Sequence, residues 1–233
     1  MKQKLTQTRN QLIENIKNVY KDKYQLGFLT GSLSRENSDN LSDIDVWLIT
    51  DEEKINDLIE QRFEHYNQIG KIVHFCEPPH HSPLNGMAST VIYEREGILT
   101  EVDYYLCSNK VAKFIENAKI LFGELQIPEG FPENNTEKRD LPETYRLDFF
   151  LMLLFIAVKK THRNDRKYLD MFSGVYQKLK TEYGYSDLPE VENNYDFETL
   201  FKYIAAVENT VTENQKIFLT EIENFIKMII KEF

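Results

Sequence analysis

The segment "LTGSLSRENSDNLSDIDVWLIT", residues 29–50, sets a Gly-Ser pair at the end of one apolar run and two aspartates inside the next. In a strand, residues two apart point to the same face, so Asp43 and Asp45 project together while Ile44, Val46 and Leu48 project the other way. Two carboxylates one side-chain spacing apart repel, and a cation or a retained proton must compensate them. A hard divalent ion with oxygen ligands does so economically. A third acid stands in "ILTEVDYYL", residues 98–106, where Leu99, Glu101, Asp103 and Tyr105 alternate with Ile98, Thr100, Val102, Tyr104 and Leu106. If that strand lies beside the Asp-x-Asp strand, Asp103 or Glu101 completes a three-carboxylate cluster. Two magnesium ions held in this way suit phosphoryl or nucleotidyl transfer. The acid that does not bind metal is a candidate general base or substrate contact.

Gly31 and Ser32 supply the complementary half. A glycine at a strand end lets backbone approach a phosphate closely, and the Ser32 hydroxyl adds a donor. A helix beginning there would present free N–H groups to an anion. The segment is no Walker A loop, because "GSLSREN" lacks the Gly-Lys-Ser/Thr ending. Arg35 is a phosphate contact or a solvated residue by its position, and Ser42 reads as a turn residue.

These elements must be positioned by a mixed α/β framework. Helical spacing predicts a helix over residues 3–22, and "LGFLT" and "DIDVWLIT" read as strands. "DEEKINDLIEQRFEHYNQI" reads as one helix with an acidic first turn, "KIVHFCE" as a strand and "PPHHSPLNG" as a loop beside the site. "ASTVIYE" and "ILTEVDYYL" flank "REG" as a hairpin, and "NKVAKFIENA" reads as a short helix. The Gly- and Pro-containing stretch of residues 123–142 reads as a linker, and the remainder as four helices. The expected fold class is α+β: a mixed sheet with flanking helices in residues 1–122, then an all-α helical domain in residues 143–233 that binds substrate. In the second domain "VKKTHRNDRK" is basic, and Lys159 and Lys160 are candidate nucleotide ligands; the bland reading is favourable charge at a helix C-terminus. Tyr145 and Asp148 stand near the start of the same helix as candidates to meet an acceptor.

The strand, the Gly-Ser pair, about ten residues and then Asp-x-Asp, with a later acidic strand, resemble the DNA polymerase beta-type nucleotidyltransferase superfamily. That resemblance implies that Asp43 and Asp45 bind two magnesium ions, that Asp103 binds the catalytic one, and that Gly31 and Ser32 hold the triphosphate. Many members carry Arg-Gly three residues after the serine; here Arg35 is present and Glu36 replaces the glycine. A catalytic domain followed by helices resembles the bacterial antibiotic nucleotidyltransferases, which act on aminoglycosides or lincosamides. The implied reaction moves AMP from ATP to a hydroxyl of a small molecule, an antibiotic as the favoured acceptor, with release of pyrophosphate. Antibiotic resistance would be the role. Two alternatives stand beside it: a protein-modifying enzyme of the toxin–antitoxin type, and a non-catalytic nucleotide-binding protein.

Composition bounds the partners. The chain has 233 residues, 41% of them apolar, and a net charge of -10. The acidic balance disfavours nucleic acid as partner. Cys76 and Cys107 read as reduced core thiols, and no apolar N-terminal leader is visible, so a cytoplasmic location is expected, without a membrane; a homodimer is compatible. His74, Cys76, His80 and His81 lack the spacing of a structural zinc site.

Overall fold

A computed structural model describes residues 2–35, 38–77, 82–134 and 143–232, with the side chains of residues 143–145 outside the description. The chain divides into two compact units, Met1–Arg139 and Asp140–Phe233.

In the first unit the elements follow as α1 (Lys2–Tyr20), β1 (Leu26–Thr30), α2 (Gly31–Ser34), β2 (Ile44–Thr50), α3 (Glu52–Glu60), α4 (Arg62–Ile69), β3 (Lys71–Cys76), β4 (Met87–Arg95), β5 (Ile98–Ser108) and β6 (Lys119–Gly123). The six strands form one mixed sheet in the order β3-β4-β5-β2-β1-β6. Strands β2 and β5 run parallel and the other neighbours antiparallel. Strand alternation gives the sheet two unlike faces. Ile44, Val46 and Leu48 of β2 with Val102, Tyr104 and Leu106 of β5 form a core with Leu12, Ile16 and Tyr20 of α1, Ile55 of α3 and Tyr66 of α4. The opposite face buries Leu26, Phe28, Trp47, Ile49 and Cys107 under Ala112 and Ile115. The acids stand on this second face, and the segment that carries Ala112 and Ile115 is not helical.

The β4–β5 hairpin turns at Glu96 and Gly97, both at positive φ (54° and 78°). That geometry belongs to a two-residue turn whose twist matches the strands, and it fixes the pairing of every residue in the hairpin.

Three local expectations are corrected. The helix expected over residues 51–69 is two, α3 and α4, meeting at Gln61. "NKVAKFIENA" forms no α-helix. The Phe114 N–H donates to the Pro128 carbonyl at 2.8 Å, and Phe114 packs on Phe28 with ring centroids 5.2 Å apart. Long-range burial overrides local helical spacing there. Of the stretch expected as linker, residues 123–134 are described. Gly123 ends β6, Leu125 and Ile127 pack on the second-face core, and Leu84 N–H donates to the Glu133 carbonyl at 2.7 Å.

The second unit consists of α5 (Glu143–His162), α6 (Arg166–Glu182), α7 (Phe197–Val207) and α8 (Glu213–Glu232). Helix α5 contacts each of the other three. This explains its near-continuous apolar run: Phe150, Leu151, Leu154, Ala157 and Val158 are all 0% exposed, as expected of a helix covered on every side. Side chains of Asp165 and Asp196 cap α6 and α7 by accepting from Tyr168 N–H and Thr199 N–H. Among the described residues, no helix is long and apolar enough to cross a membrane.

Candidate functional site

The register aligns the site along a single rung. Thr30 of β1 is opposite Asp45 of β2, and Asp45 is opposite Asp103 of β5. Across the hairpin, Asp103 is opposite Thr90 of β4. Two carboxylates on adjacent strands are thus flanked by two threonines. The Thr90 hydroxyl donates to Asp103 Oδ1 at 2.5 Å. Glu101 lies two residues before Asp103 on the same face and is 4% exposed.

Asp43 stands on the loop immediately before β2. That loop is closed by Asp39 and Ser42: the Asp39 N–H donates to Ser42 Oγ (2.9 Å), which donates to Asp39 Oδ1 (3.1 Å). Ser42 is therefore a turn residue. Beneath it Arg9 of α1, 7% exposed, donates from Nη1 to the Asp39 carbonyl at 2.6 Å. Burial lowers the Arg9 pKa, against the opposing charges of Asp39 and Asp43. The buried arginine thus anchors the Asp39–Ser42 turn that leads into Asp43.

The charge balance is unfavourable for the acids alone. Burial pushes the Asp103 carboxyl well above the usual range, reinforced by the charges of Glu101 and Asp45 and more weakly of Asp43, while the Thr90 hydrogen bond opposes the shift. The neighbouring Tyr105 phenol is raised too, by burial first and then by Asp103 and Asp45. Among the described residues no group of three carboxylate, imidazole or thiol side chains is placed to hold a metal ion by itself. The donor set nevertheless fits a hard divalent cation. It is all oxygen, and its like charges raise one another's proton affinity, a cost that a cation relieves. Asp45 and Asp103, with Asp43 ahead of them, are the residues that would hold it.

A stability test follows directly. A carboxyl with a raised folded-state pKa favours folding at low pH. That contribution is lost as pH rises from the ordinary value of 3.8 through the raised value. In chelator-treated protein, Asp103→Asn should therefore raise the melting temperature at about pH 7.5 and change it less at about pH 4. An unchanged or lower midpoint at neutral pH would show that Asp103 is not strained by its neighbours.

Gly31 and Ser32 open α2 directly after the rung. Gly31 has φ 69°, and a Cβ placed on it would meet Asp45 Oδ2 at 2.0 Å. The glycine is thus required both by its left-handed backbone and by the carboxylate against it. Ser32 Oγ is buried and has no hydrogen-bond partner among the described residues. Such a hydroxyl is a donor in waiting for an anionic oxygen. Ser34 Oγ donates to the Gly31 carbonyl at 3.0 Å.

A cavity of about 440 Å³ lies over this face. Thr30, Gly31, Ser34, Arg35 and Asp45 form one part of its lining; Trp47, Tyr105, Ile115, Asn117 and Phe131 form the rest, with Glu116 and Asn134. Phe28, Trp47 and Tyr105 occupy the next same-face rung of β1, β2 and β5. Their rings are near-parallel: Trp47 and Tyr105 lie 4.5 Å apart at 11°, Phe28 and Trp47 6.2 Å apart at 6°. Phe131 is 73% exposed. A volume of this size takes a drug-sized or nucleotide-sized molecule.

The structure therefore brings together Gly31, Arg35 and Asp45 as cavity lining, with Ser32 beside Gly31 and Asp103 and Glu101 on the same sheet face. Lys159 and Lys160 belong to the helical unit. Lys159 is 3% exposed, its ammonium 5.5 Å from the centre of the Phe155 ring, and Lys160 pairs with Asp165 at 3.2 Å. Asp148 accepts from Gln215 Nε2 at 2.7 Å within the same unit. The Tyr145 side chain, His80 and His81 lie outside the described residues.

Sequence reasoning missed Thr90, Arg9 and the aromatic rung. Thr90 was within reach, since counting back from the Glu96–Gly97 turn places it opposite Asp103. Arg9 carried no signal, being one cation in an amphipathic helix.

No family model and no curated protein matches this chain. Among solved structures the chain is similar to Elizabethkingia meningoseptica CdnE cyclic dinucleotide synthase with GTP and Apcpp, at 15% identity. The match covers 94% of this chain and 89% of that one, with a TM-score of 0.30. A likeness this loose bears on neither fold nor chemistry, which rest on this chain's own geometry.

Proposed function

We propose that this chain is a metal-dependent nucleotidyltransferase that moves a nucleoside monophosphate, AMP from ATP in the simplest case, to a hydroxyl of a small molecule. The observation that carries the reading is the single rung that pairs Asp45 with Asp103, beside a glycine on which any Cβ would collide with the Asp45 carboxylate. Magnesium, when bound, neutralises charge on the phosphates and on the oxygens that attack and leave. The chain's own part is positional. Asp45 and Asp103 supply fixed oxygen donors on rigid strands. Gly31 lets the triphosphate approach the main chain, and Ser32 Oγ and Arg35 offer donors to its oxygens. The Trp47–Tyr105 side of the cavity takes the ring-bearing remainder of a substrate. From the sequence's resemblance to the bacterial antibiotic nucleotidyltransferases, a catalytic domain followed by helices, an aminoglycoside or lincosamide antibiotic is the acceptor class we favour.

The direct test is a screen of such antibiotics with labelled nucleoside triphosphates and magnesium, following pyrophosphate release and the mass of the acceptor. An arm without acceptor reports whether a second nucleotide serves that purpose. Magnesium-dependent pyrophosphate release in any arm is expected; none in every arm, with the protein folded, would discard the enzyme reading.

Nucleotide binding has its own readout. Trp47 is the sole tryptophan of the chain and lines the same cavity as Gly31 and Arg35. ATP with magnesium should change its emission saturably. Arg35→Ala should weaken that titration by about tenfold, as befits loss of one charged contact. A titration without any emission change would remove the cavity from consideration as the nucleotide site.

A further inference from the structure

We infer that Thr90 is a positioning residue for Asp103: its hydroxyl fixes the carboxylate so that one oxygen stays directed to the metal-binding side of the rung. The inference rests on the reading of Asp103 as a metal ligand. Thr90 is 4% exposed, in the middle of β4, and directly opposite Asp103 in the hairpin register. Its Oγ1 donates to Asp103 Oδ1 at 2.5 Å. A carboxylate rotates broadly about its last side-chain bond, whereas a β-branched threonine holds a preferred rotamer. The stiff partner therefore sets the orientation of the loose one.

The need for such a device is local. Glu101 and Asp45 both repel the Asp103 carboxylate, and on electrostatic grounds alone it would turn away from them. Thr90 approaches from the strand opposite Asp45, so its donor pulls Oδ1 towards β4 and leaves Oδ2 as the oxygen free of that bond. Outer partners that orient a metal-ligating carboxylate contribute about 10–100-fold to metal affinity.

The experiment measures manganese binding to the full chain by the paramagnetic signal of free Mn2+, without nucleotide, for the parent, Thr90→Val, Thr90→Ser and Asp103→Asn. Valine keeps the shape and removes the hydroxyl; serine keeps the hydroxyl. Thr90→Val should weaken Mn2+ binding at least about tenfold while Thr90→Ser stays within about threefold of the parent. The Trp47 emission response to metal-free ATP should be unchanged in both. Parent-like Mn2+ affinity in Thr90→Val overturns the inference. Equal weakening in Val and Ser also overturns it, because packing and not the hydroxyl would then be responsible. Should Thr90→Val fail to fold, the serine variant still decides: it must retain the parent affinity. Parent-like affinity in Asp103→Asn instead identifies the metal-ligand reading as the fault, and the role of Thr90 falls with it.

Discussion

Asp45→Asn should lower turnover by about a thousandfold or more, some 4 kcal/mol of transition-state stabilisation, with the protein still folded. Asp45 is the carboxylate shared by the rung, the cavity and the Gly31 turn. It stands between Thr30 and Asp103 on the rung, it lines the cavity, and Gly31 packs against its Oδ2. Asparagine has nearly the same size, so the contact with Gly31 and the strand pairing persist. What would be lost is the negative charge proposed to hold the cation, and with it the alignment of phosphate and acceptor. The Michaelis constant for the nucleotide should change far less than turnover, because Ser32, Arg35 and the aromatic side of the cavity remain. Stability without metal should hold or rise, since one of the charges that strains Asp103 is gone. Steady-state kinetics with magnesium and thermal melts in chelator measure the two effects. Near-parent turnover would end the two-carboxylate mechanism, and a large drop in melting temperature would mean that Asp45 serves the fold instead.

The parts of this site that are legible in the sequence are those set by alternation within one strand. Residues two apart share a face, so Asp45 groups with Trp47, and Glu101 with Asp103 and Tyr105, from their spacing alone. The turn at Glu96–Gly97 extends that legibility across one hairpin. The decisive pairing, β2 with β5, is not legible by the same route. The chain runs through α3, α4, β3 and β4 between them, and parallel pairing over such a distance is chosen by the whole core. The segment over residues 109–118 shows the converse. Val111, Ala112, Phe114 and Ile115 have spacing that suits a helix, yet Phe114 and Ile115 cover the Phe28 side of the sheet. A path of short turns reaches that surface, and the Phe114 N–H finds its partner on Pro128 instead of in a helix. The same second-face core recruits Leu125 and Ile127, which is why residues with linker-like composition pack here.

Gly31→Ala should abolish most activity at a modest cost in stability, and the contrast is the informative part. The left-handed backbone at Gly31 (φ 69°) costs an alanine about 1–2 kcal/mol. The added methyl would also lie 2.0 Å from Asp45 Oδ2, far inside any real contact. The next nearest atoms in its path are Asp45 Cγ at 3.1 Å and Cβ at 3.7 Å, all from one side chain. Something must yield, and the part that yields at least cost is the carboxylate end of Asp45. The fold therefore survives, with a melting point only a few degrees lower at about 2–4 °C per kcal/mol for a chain of this size. The displaced group, however, is the one whose orientation the proposed reaction would require, and a misplacement on the order of 1 Å lowers rates about a hundredfold. Turnover should fall by at least that factor. Mn2+ binding should weaken alongside it, since the same carboxylate would hold the ion. Activity within about threefold of the parent would show that Asp45 has another rotamer competent for catalysis, and the tight Gly31–Asp45 contact would lose its functional meaning. A variant that unfolds outright would mean that the Asp45 side chain does not yield, and adding Asp45→Ala should then restore stability by removing the clash.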